Sequence, residues 1–508
     1  MSLEQALDRI SAIMMGIHSE QKELFSYEVN LDARMPASHP LRRIREVIDF
    51  SFARTATAKF YGHNGNESVD PAIVLKLMFL LFYDNVSSER KLMEMLPYRL
   101  DYLWFLGFGL DDDIPNHSVL SKARRRWGVE VFETLFANTV AQCMETGLVD
   151  GQKIHMDGSL IDADASKNSV MHSSPELIEQ LRECYRDEMN KLDEPVVLTG
   201  EKKYYQPKNK QLMSKTDPDC EMVRHGFSDS RPRYKTHRAV DDQCGVITAV
   251  ETTSGGVAEN ERLIPLVDQH ELMTGIKVDT VVADTQYGTV DNFQQCAMRG
   301  IRSHMADVES KQKRSGNARA VYDRSLFEYN QKEGCYICPA GHRLTRRKCK
   351  TTRPGYEYAC DKKICRSCPL RPECTKSKTG ARTIKRHINQ EYVDQGKREA
   401  ASDVAKRDRV RRKWLMEGSF ADGTNHHLKR SRWRRLWRQQ IQSLLIAAVQ
   451  NIRKLLKQPT YKPAEAEHVA IDVKLATYSV RARLFAEFWP EILILVALGI
   501  NKTTARAG

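Results

Sequence analysis

The order of strands and helices predicted between residues 153 and 304 constrains the fold more than any other feature of this chain. Alternating apolar and polar residues rich in β-branched side chains predict strands, and apolar residues recurring every three or four positions predict helices. Three strands come first, followed by helix, strand, helix and strand. The predicted strands are 154–161, 233–240, 246–252, 277–284 and 301–304, and the predicted helices are 259–273 and 289–298.

This element order is typical of the ribonuclease-H-like fold, an α/β fold with a mixed sheet. In that arrangement the first strand lies at the centre of the sheet and the fourth lies beside it. Asp157 lies within the first predicted strand, and Asp284 ends the fourth, just before Thr285. We therefore expect Asp157 and Asp284 to be neighbours. Carboxylates are the ligands that Mg²⁺ prefers, so the pair predicts a divalent-cation site.

Each of these acids has another interpretation. Asp162 and Asp164 lie close to Asp157, and either could be the metal ligand or simply cap a turn. Asp284 could merely cap the helix that follows. A third acid, Glu417, lies among basic residues, where a glutamate more often forms a surface ion pair. If the fold brings Asp157, Asp284 and Glu417 together, the chain is a metal-dependent enzyme that acts on phosphodiesters.

Residues 1–150 are predicted to be entirely helical. Asp70-Pro71 and Ser88 each precede an apolar periodic run, as N-cap residues do. A further helix, after Ser118, ends in three consecutive arginines. Short helices with a basic last helix are typical of helix-turn-helix DNA-binding domains. A helical dimerisation or scaffold domain with solvated arginines is an equally good interpretation.

The charge of the chain favours a polyanionic partner. The 508 residues carry a formal net charge of +13. A chain of this length is enough for two to four domains. Many solvated surfaces are equally basic, but here the basic residues concentrate between Lys406 and Arg438, with few acids among them. Nucleic acid is the polyanion that such a stripe suits. The candidate DNA contacts are Arg124, Arg125, Arg126, Lys413, Arg430, Arg432, Arg434, Arg435 and Arg438.

Seven of the twelve cysteines fall in a polar segment, 306–400, that interrupts the predicted α/β fold. Two pairs, Cys335 with Cys338 and Cys365 with Cys368, have the Cys-x-x-Cys spacing of zinc knuckles. A tetrahedral site takes two thiolates from each pair, so spacing alone favours these four. A polar segment has little apolar material to fold around, so a single zinc ion would be structural. The alternative is a loop of free thiols. The candidates for four places are Cys335, Cys338, Cys360, Cys365, Cys368 and Cys374, whereas Cys349, in a basic run, is regarded as a bystander.

Beyond Glu417, apolar residues recur at helical spacing from Trp433 to Leu455. We predict a long amphipathic helix that docks onto the sheet and brings Glu417 towards the two aspartates. The apolar run at 488–500 is too short to span a membrane, and the first residues lack the features of an export signal. We therefore expect a cytoplasmic protein without membrane contact.

Three sequence blocks resemble bacterial insertion-sequence transposases of the DDE type, in the branch with a cysteine-rich insertion before the last acid. The blocks begin at Met156, Ala283 and Glu417, and the likeness runs from about residue 40 to 457. That family often has a tyrosine and an arginine before the glutamate, where this chain has Val410 and Lys413. Lysine cannot make the bidentate contact of arginine, so the role of that position is open.

The resemblance implies the roles of individual residues. Asp157, Asp284 and Glu417 would bind two Mg²⁺ or Mn²⁺ ions, with Tyr287 and Lys413 as possible helpers near the scissile phosphate. His237, on a predicted strand, could touch DNA or a metal but is more often structural. One Zn²⁺ would be bound by Cys338, Cys365, Cys368 and Cys374, with Cys335 and Cys360 as alternates.

The resemblance also implies an activity and partners. The chain would bind double-stranded DNA at the inverted-repeat ends of an insertion sequence, cleave it and join it to target DNA, as a homodimer associated with the bacterial nucleoid. A nuclease of the same fold without joining activity, and a non-catalytic zinc-containing DNA-binding protein, are the alternatives. The expected domains are a helical DNA-binding or dimerisation domain (1–150), a catalytic core (151–305, with a polar insertion at 164–230), a zinc-binding insertion (306–400), the final catalytic helices (401–457) and a helical extension (458–508).

Overall fold

A computed structural model describes residues 29–62, 67–172, 174, 176–181, 183–184, 212–307, 322–347, 355–377 and 380–458. The predictions for Cys349, for the first residues and for the extension after residue 458 fall outside these ranges. Among the helices within them, none combines the length and hydropathy needed to span a bilayer.

Helices make up the described N-terminal region, as predicted. The side chain of Asp70 accepts the N–H of Ala72, and that of Ser88 accepts the N–H of Lys91, so both residues are N-caps. The helices are α1 (Leu31–Arg34), α2 (Pro40–Val47), α3 (Phe52–Thr57), α4 (Pro71–Tyr83), α5 (Glu89–Met95), α6 (Leu100–Leu106), α7 (Ser118–Trp127) and α8 (Glu130–Glu145).

Helix α4 is the hub of this region. It is apolar on every side and almost wholly buried, which is the pattern of a helix inside a core. Phe79 of α4 packs against Phe50 and Phe105, and the helix also contacts α15 (Leu436–Leu455) near the end of the chain. The helical region and one face of the sheet thus share a single hydrophobic cluster. The change of pattern near residue 150 therefore marks a change of secondary structure and not a break between two cores.

A six-stranded mixed sheet follows. β1 lies between β5, to which it is antiparallel, and β7, to which it is parallel, so the first and fourth predicted strands are neighbours as expected. β6 and β4 pair with β5, and β8 pairs with β7. The strands are β1 (Lys153–Asp162), β4 (Glu221–Val223), β5 (Arg231–Asp241), β6 (Ile247–Ser254), β7 (Thr280–Val282) and β8 (Arg302–Ser303), while β2 (Val170–His172) and β3 (Leu212–Ser214) pair within the polar insertion.

Helices cover both faces of this sheet. α9 (Leu263–Thr274) and α10 (Val290–Met298) lie on one face, where Met156 belongs to their cluster. α14 (Asp403–Asn425) and α15 lie on the other, where Ile161 faces the cluster shared with the helical region. Met156 and Ile161 differ by an odd number of residues, so they point to opposite faces of β1.

Helix α15 begins at Leu436, whereas the sequence pattern predicted helix from Trp433. Arg435 has φ 85°, a left-handed conformation that an α-helix cannot contain, so the helix cannot extend further back. Trp433 instead packs its ring against Phe82 of α4 and donates its N–H to Glu89.

The cysteine-rich segment forms a separate antiparallel sheet with its own small core. Tyr336, Leu344 and Tyr358 are buried there, so the segment has more apolar material than its composition predicted. The strands, in chain order and in sheet order, are β9 (Glu328–Asn330), β10 (Cys335–Ile337), β11 (Arg343–Arg347), β12 (Gly355–Ala359) and β13 (Thr383–His387), with α11 (Lys362–Ser367) and α12 (Arg371–Cys374) between β12 and β13. α13 (Gln390–Ala401) then returns to pack on α10 and β8.

Polar side chains of α15 satisfy the open edge of the sheet. Asn451 accepts the N–H of Ile247 at 2.9 Å and donates to its carbonyl oxygen at 2.8 Å. Gln440 makes the same kind of pair with the N–H of Thr252 and the carbonyl of Val250. An unpaired edge strand is a site of aggregation, and here the helix covers it with specific hydrogen bonds.

We predict that Asn451→Ala destabilises the protein. It leaves a buried N–H and a buried carbonyl of Ile247 without partners, which should lower the free energy of unfolding by about 2 kcal/mol. Urea unfolding followed by circular dichroism measures the loss. Lys457→Ala, at an exposed position just after the same helix, is the control, and equal stability of the two variants would contradict the role given to Asn451.

Candidate active site

Asp157 lies at the centre of the sheet, on the face covered by α14. Its Oδ2 accepts a hydrogen bond from Nη1 of Arg412 at 2.7 Å, and its Oδ1 accepts the N–H of Gly158 at 2.9 Å. Burial raises the pKa of the Asp157 carboxyl, and the positive charge of Arg412 opposes this rise. Asp157 is thus a partly desolvated carboxylate whose charge is balanced by one guanidinium.

Asp284 lies just beyond the end of β7, beside Asp157. His155 pairs with Val282 in the parallel register, so Asp157 and Asp284, each two residues further on, reach the same level of the sheet. Oδ1 of Asp284 accepts the N–H of Gln286 at 2.7 Å and caps a short 3₁₀ turn. The capping interpretation is therefore correct for one oxygen. The charge of Asp284 also raises the pKa of Asp157, so the two carboxyl groups interact.

A further carboxylate, which the sequence patterns did not single out, lies near both aspartates. Glu259 opens the 3₁₀ turn Glu259–Arg262 that leads from β6 into α9. Its side chain is 15% exposed, and Oε1 lies 3.4 Å from Nζ of Lys235. Burial, more than the negative charges of Asp157 and Asp284, raises the pKa of Glu259, while Lys235 opposes the rise. An acid at the first turn of the helix after the third core strand was the signal available in the sequence.

Tyr287 completes this group. Its side chain is fully buried, and its hydroxyl has no hydrogen-bond partner among the described residues. Burial raises the pKa of Tyr287 well above its usual value, and the charges of Glu259, Asp157 and Asp284 raise it further. The phenol hydroxyl therefore lies close to three carboxylates without being bound to any of them.

Glu417 is on the same helix as Arg412 but is not in contact with the aspartates in the described structure. Its side chain is 69% exposed and lies 4.0 Å from Nζ of Lys413, which is 71% exposed. The buried residue before it, Met416, faces the core, and one residue turns an α-helix by about 100°. α14 therefore presents Arg412 to the sheet and turns Lys413 and Glu417 away from it.

Neither of the two acids near Asp157 competes with it. Asp162 points to the opposite face of β1 and accepts from Nε of Arg233 at 2.8 Å. Asp164 accepts from Nε of Arg434 at 3.2 Å. Both are therefore engaged in ion pairs away from the candidate site.

His237 has the structural environment that its place on a strand suggested. It is fully buried, and its Nε2 lies 2.9 Å from the hydroxyl of Thr253. Burial holds the pKa of His237 well below its usual value, so the ring is neutral.

The predicted DNA contacts divide into surface and structural residues. Arg124 contradicts its prediction because it is 3% exposed, pairs with Glu89 and stacks on the ring of Trp433. Nη2 of Arg432 donates to Oδ1 of Asn85 at 3.0 Å, and its guanidinium lies over the ring of Phe82. Burial lowers the pKa of Arg432 to about 10. The others lie at least partly at the surface, namely Arg125, Arg126, Lys413, Arg430, Arg434, Arg435 and Arg438.

A groove of about 610 Å³ separates the helical region from the segment between α14 and α15. Arg90 and His117 line one wall, and His427, Arg430 and Arg432 line the other. The lining arginines, Arg90, Arg430 and Arg432, outnumber the one acid that lines the groove, Glu89, so the groove is suited to an anion.

The cysteines converge in one cavity of the second sheet. The Sγ of Cys338 accepts the N–H of His342 at 3.3 Å. Cys335 lies apart on β10, with its sulfur 3.6 Å from a carboxylate oxygen of Glu333. The thiols that line the cavity are Cys338, Cys360, Cys365, Cys368 and Cys374.

The donor atoms at both sites suit their expected metals. Carboxylates and a phenol hydroxyl surround the first site, and thiols surround the second. Within the described ranges, no three His, Cys, Asp or Glu side chains have the spacing of a metal site.

Comparison with known proteins gives two matches along the chain. A model of a transposase domain (DUF772) matches residues 29–126, and a model of a transposase DDE domain matches residues 337–456. Asp157 and Asp284 lie between the two matched ranges. No curated protein matches the chain.

Among solved structures, the chain is similar to a piggyBac transposase synaptic complex with hairpin DNA. The identity is 11% and the TM-score 0.25, over 85% of this chain and 87% of that chain. The two domain matches, one over helices α1 to α7 and the other over the cysteine-rich segment and the helix that carries Glu417, are both to transposase domains and support a DNA transposase of the DDE type.

Proposed function

We propose that this transposase cleaves DNA strands at the ends of an insertion sequence and joins them to target DNA at a site built on Asp157 and Asp284. The observation that carries the proposal is the placement of these two carboxylates on adjacent parallel strands, beside a buried Tyr287 hydroxyl that lacks a partner. The strand order β6, β5, β1, β7, β8 supports a ribonuclease-H-like fold for this domain.

Two Mg²⁺ or Mn²⁺ ions held by these carboxylates would stabilise the attacking and leaving oxygens of an in-line displacement at phosphorus. Asp157 is held in place by its backbone contact to Gly158 and by Arg412. Asp284 uses one oxygen to cap its turn, which fixes the carboxylate and leaves its second oxygen to act as a ligand. Arg412 binds Asp157 through one nitrogen, so its other N–H groups can donate to a phosphate oxygen of the DNA.

We include Glu417 as the third acid of the site. Its support is the family resemblance, together with the match of the transposase DDE domain over residues 337–456. Its ion pair with Lys413 is an exposed pair between residues four apart on a helix, which contributes only about 0.3–0.5 kcal/mol. DNA binding can therefore release Glu417 at little cost.

DNA would bind along the basic residues that lie at the surface. Arg126 and Arg430 are exposed, one on the helical region and the other on the segment after α14. Phosphate neutralisation by such residues supplies most of the affinity for DNA of any sequence. Arg124 and Arg432 support this surface from below. Two ends of an insertion sequence must be cut and paired, so we propose that the active form is a homodimer.

The thiol cavity would hold one structural Zn²⁺. The tetrad from the family resemblance is Cys338, Cys365, Cys368 and Cys374, with Cys360 as the alternate fourth ligand. All five line the same cavity, and Cys335 does not, which supports this set over the one from spacing.

Asp157→Asn is expected to reduce cleavage and joining of labelled DNA ends in Mg²⁺ by more than about a hundredfold, because a metal site supplies several kcal/mol of transition-state stabilisation. Binding of the same DNA should stay unchanged. Asp164→Asn, in a half-exposed ion pair nearby, should retain activity. Unchanged cleavage by Asp157→Asn would refute the assignment, and cleavage by the wild type without joining would indicate a nuclease.

DNA affinity should fall by about a thousandfold between 50 and 200 mM salt if roughly six phosphates are contacted. Arg430→Gln should lower the slope of log affinity against log salt by about one, since it removes one phosphate contact. Arg124→Gln is the contrast, because a buried arginine should affect thermal stability more than the slope. Fluorescence anisotropy of labelled DNA measures the affinity and its salt slope, and thermal unfolding measures the stability. An unchanged slope for Arg430→Gln would rule out its contact with phosphate.

The purified protein should contain one equivalent of zinc, measured by atomic emission. Cys365→Ser should lower the zinc content to less than half, because it removes one of four thiolate ligands. Cys335→Ser should retain a full equivalent, since that sulfur is outside the cavity. Loss of zinc in Cys335→Ser would instead favour the tetrad of the two Cys-x-x-Cys pairs, Cys335, Cys338, Cys365 and Cys368, over the cavity set.

A further inference from the structure

We propose that Glu259 is a metal-binding carboxylate of the active site, acting together with Asp157 and Asp284. This inference rests on the proposed function of that site. Glu259 reaches the site from the turn between β6 and α9, on the face of the sheet opposite α14. The metal site would thus receive carboxylates from the centre of the sheet, from the end of β7 and from the start of α9.

The position of the Glu259 side chain depends on a glycine next to Asp157. A Cβ atom placed on Gly158 would lie 3.0 Å from Cγ of Glu259 and 3.1 Å from its Cδ and its Oε1. These distances are shorter than ordinary van der Waals contact, so any side chain at 158 would displace the carboxylate. The absence of a side chain at Gly158 therefore allows Glu259 to approach the residue that follows Asp157.

The Tyr287 hydroxyl gives independent support. It is fully buried and has no partner in the described part of the chain, although a buried hydroxyl without a hydrogen bond costs about 1–3 kcal/mol. The charges that act on it most are those of Glu259, Asp157 and Asp284, in that order. A cation with its bound water among these carboxylates would give the hydroxyl a partner.

A purely structural ion pair between Glu259 and Lys235 accounts for less of this arrangement. Nζ of Lys235 lies 3.4 Å from Glu259, and it also donates to the carbonyl of Val257 at 3.0 Å, so Lys235 has a second anchor. An ion pair alone needs neither the open space over Gly158 nor the unpaired hydroxyl of Tyr287. Binding of one ion by all three carboxylates requires Glu259 to turn from Lys235 towards Asp157.

Isothermal titration calorimetry of Mn²⁺ binding to the full-length protein without DNA tests the proposal. Glu259→Gln should weaken Mn²⁺ binding at least about tenfold, because even the outer partners of metal ligands change affinity by 10- to 100-fold. Glu261→Gln, two residues along the same turn, is the matched control and should bind Mn²⁺ like the wild type. Thermal unfolding without Mn²⁺ establishes that each variant is folded.

Gly158→Ala provides a second test that keeps all three carboxylates. The added methyl group must push Glu259 by a few tenths of an ångström, so Mn²⁺ binding should weaken severalfold. In a protein that already carries Glu259→Gln, adding Gly158→Ala should not weaken Mn²⁺ binding further. If Gly158→Ala acted by disturbing Asp157 instead, it would weaken Mn²⁺ binding in both proteins. Additive losses in the double variant would count against Glu259.

Asp157→Asn separates this inference from the proposed function. If Asp157→Asn weakens Mn²⁺ binding and Glu259→Gln does not, the active site stands and the role of Glu259 is overturned. If neither variant weakens binding, both the site and the inference are overturned. Weakening by both variants, with Glu261→Gln unchanged, supports three carboxylates acting on the same ion.

Discussion

The pairing of β1 with two neighbours of opposite direction determines where every group of the active site lies. The parallel register with β7 brings Asp157 and Asp284 to the same level, and the antiparallel register with β5 places Arg238 beside Asp157 on the face of α14. Because side chains alternate along a strand, Gly158 faces the other side, where Glu259 approaches. On β1, Asp157 thus contacts Arg412 from α14 on one face, and Gly158 lies next to Glu259 on the other face.

Charge balance explains which cations accompany these acids. A buried carboxylate is stable only when it is paired and hydrogen-bonded, since removing its hydration costs several kcal/mol. Asp157 is paired with Arg412, and Glu259 with Lys235. Arg412 reaches Asp157 from α14, and Lys235 reaches Glu259 from β5. Exchange of a protein cation for a metal ion would therefore keep the charge of these acids balanced.

Alternating apolar and polar residues predicted the strands. The order of those strands then predicted that Asp157 and Asp284 are neighbours. The side-chain partners were not predictable in the same way. Rotation of α14 about its axis, which turns Glu417 outward, is fixed by packing against the whole sheet. The burial of Arg124 depends on Trp433, which lies far along the chain. Periodicity identifies a helix and its apolar face, but it does not show which polar residue beside that face meets a distant partner.

The same strand also connects the active site to the basic segment between α14 and α15. At its far end, the N–H of Asp162 donates to the carbonyl of Lys429, and the N–H of Ser431 donates to the carbonyl of Asp162. Asp157 and Asp162 are five residues apart, which is about 16 Å along an extended strand. The basic segment is therefore held by backbone hydrogen bonds at a fixed distance from Asp157, so a phosphate bound at Arg430 would fix the position of the same duplex relative to the carboxylates.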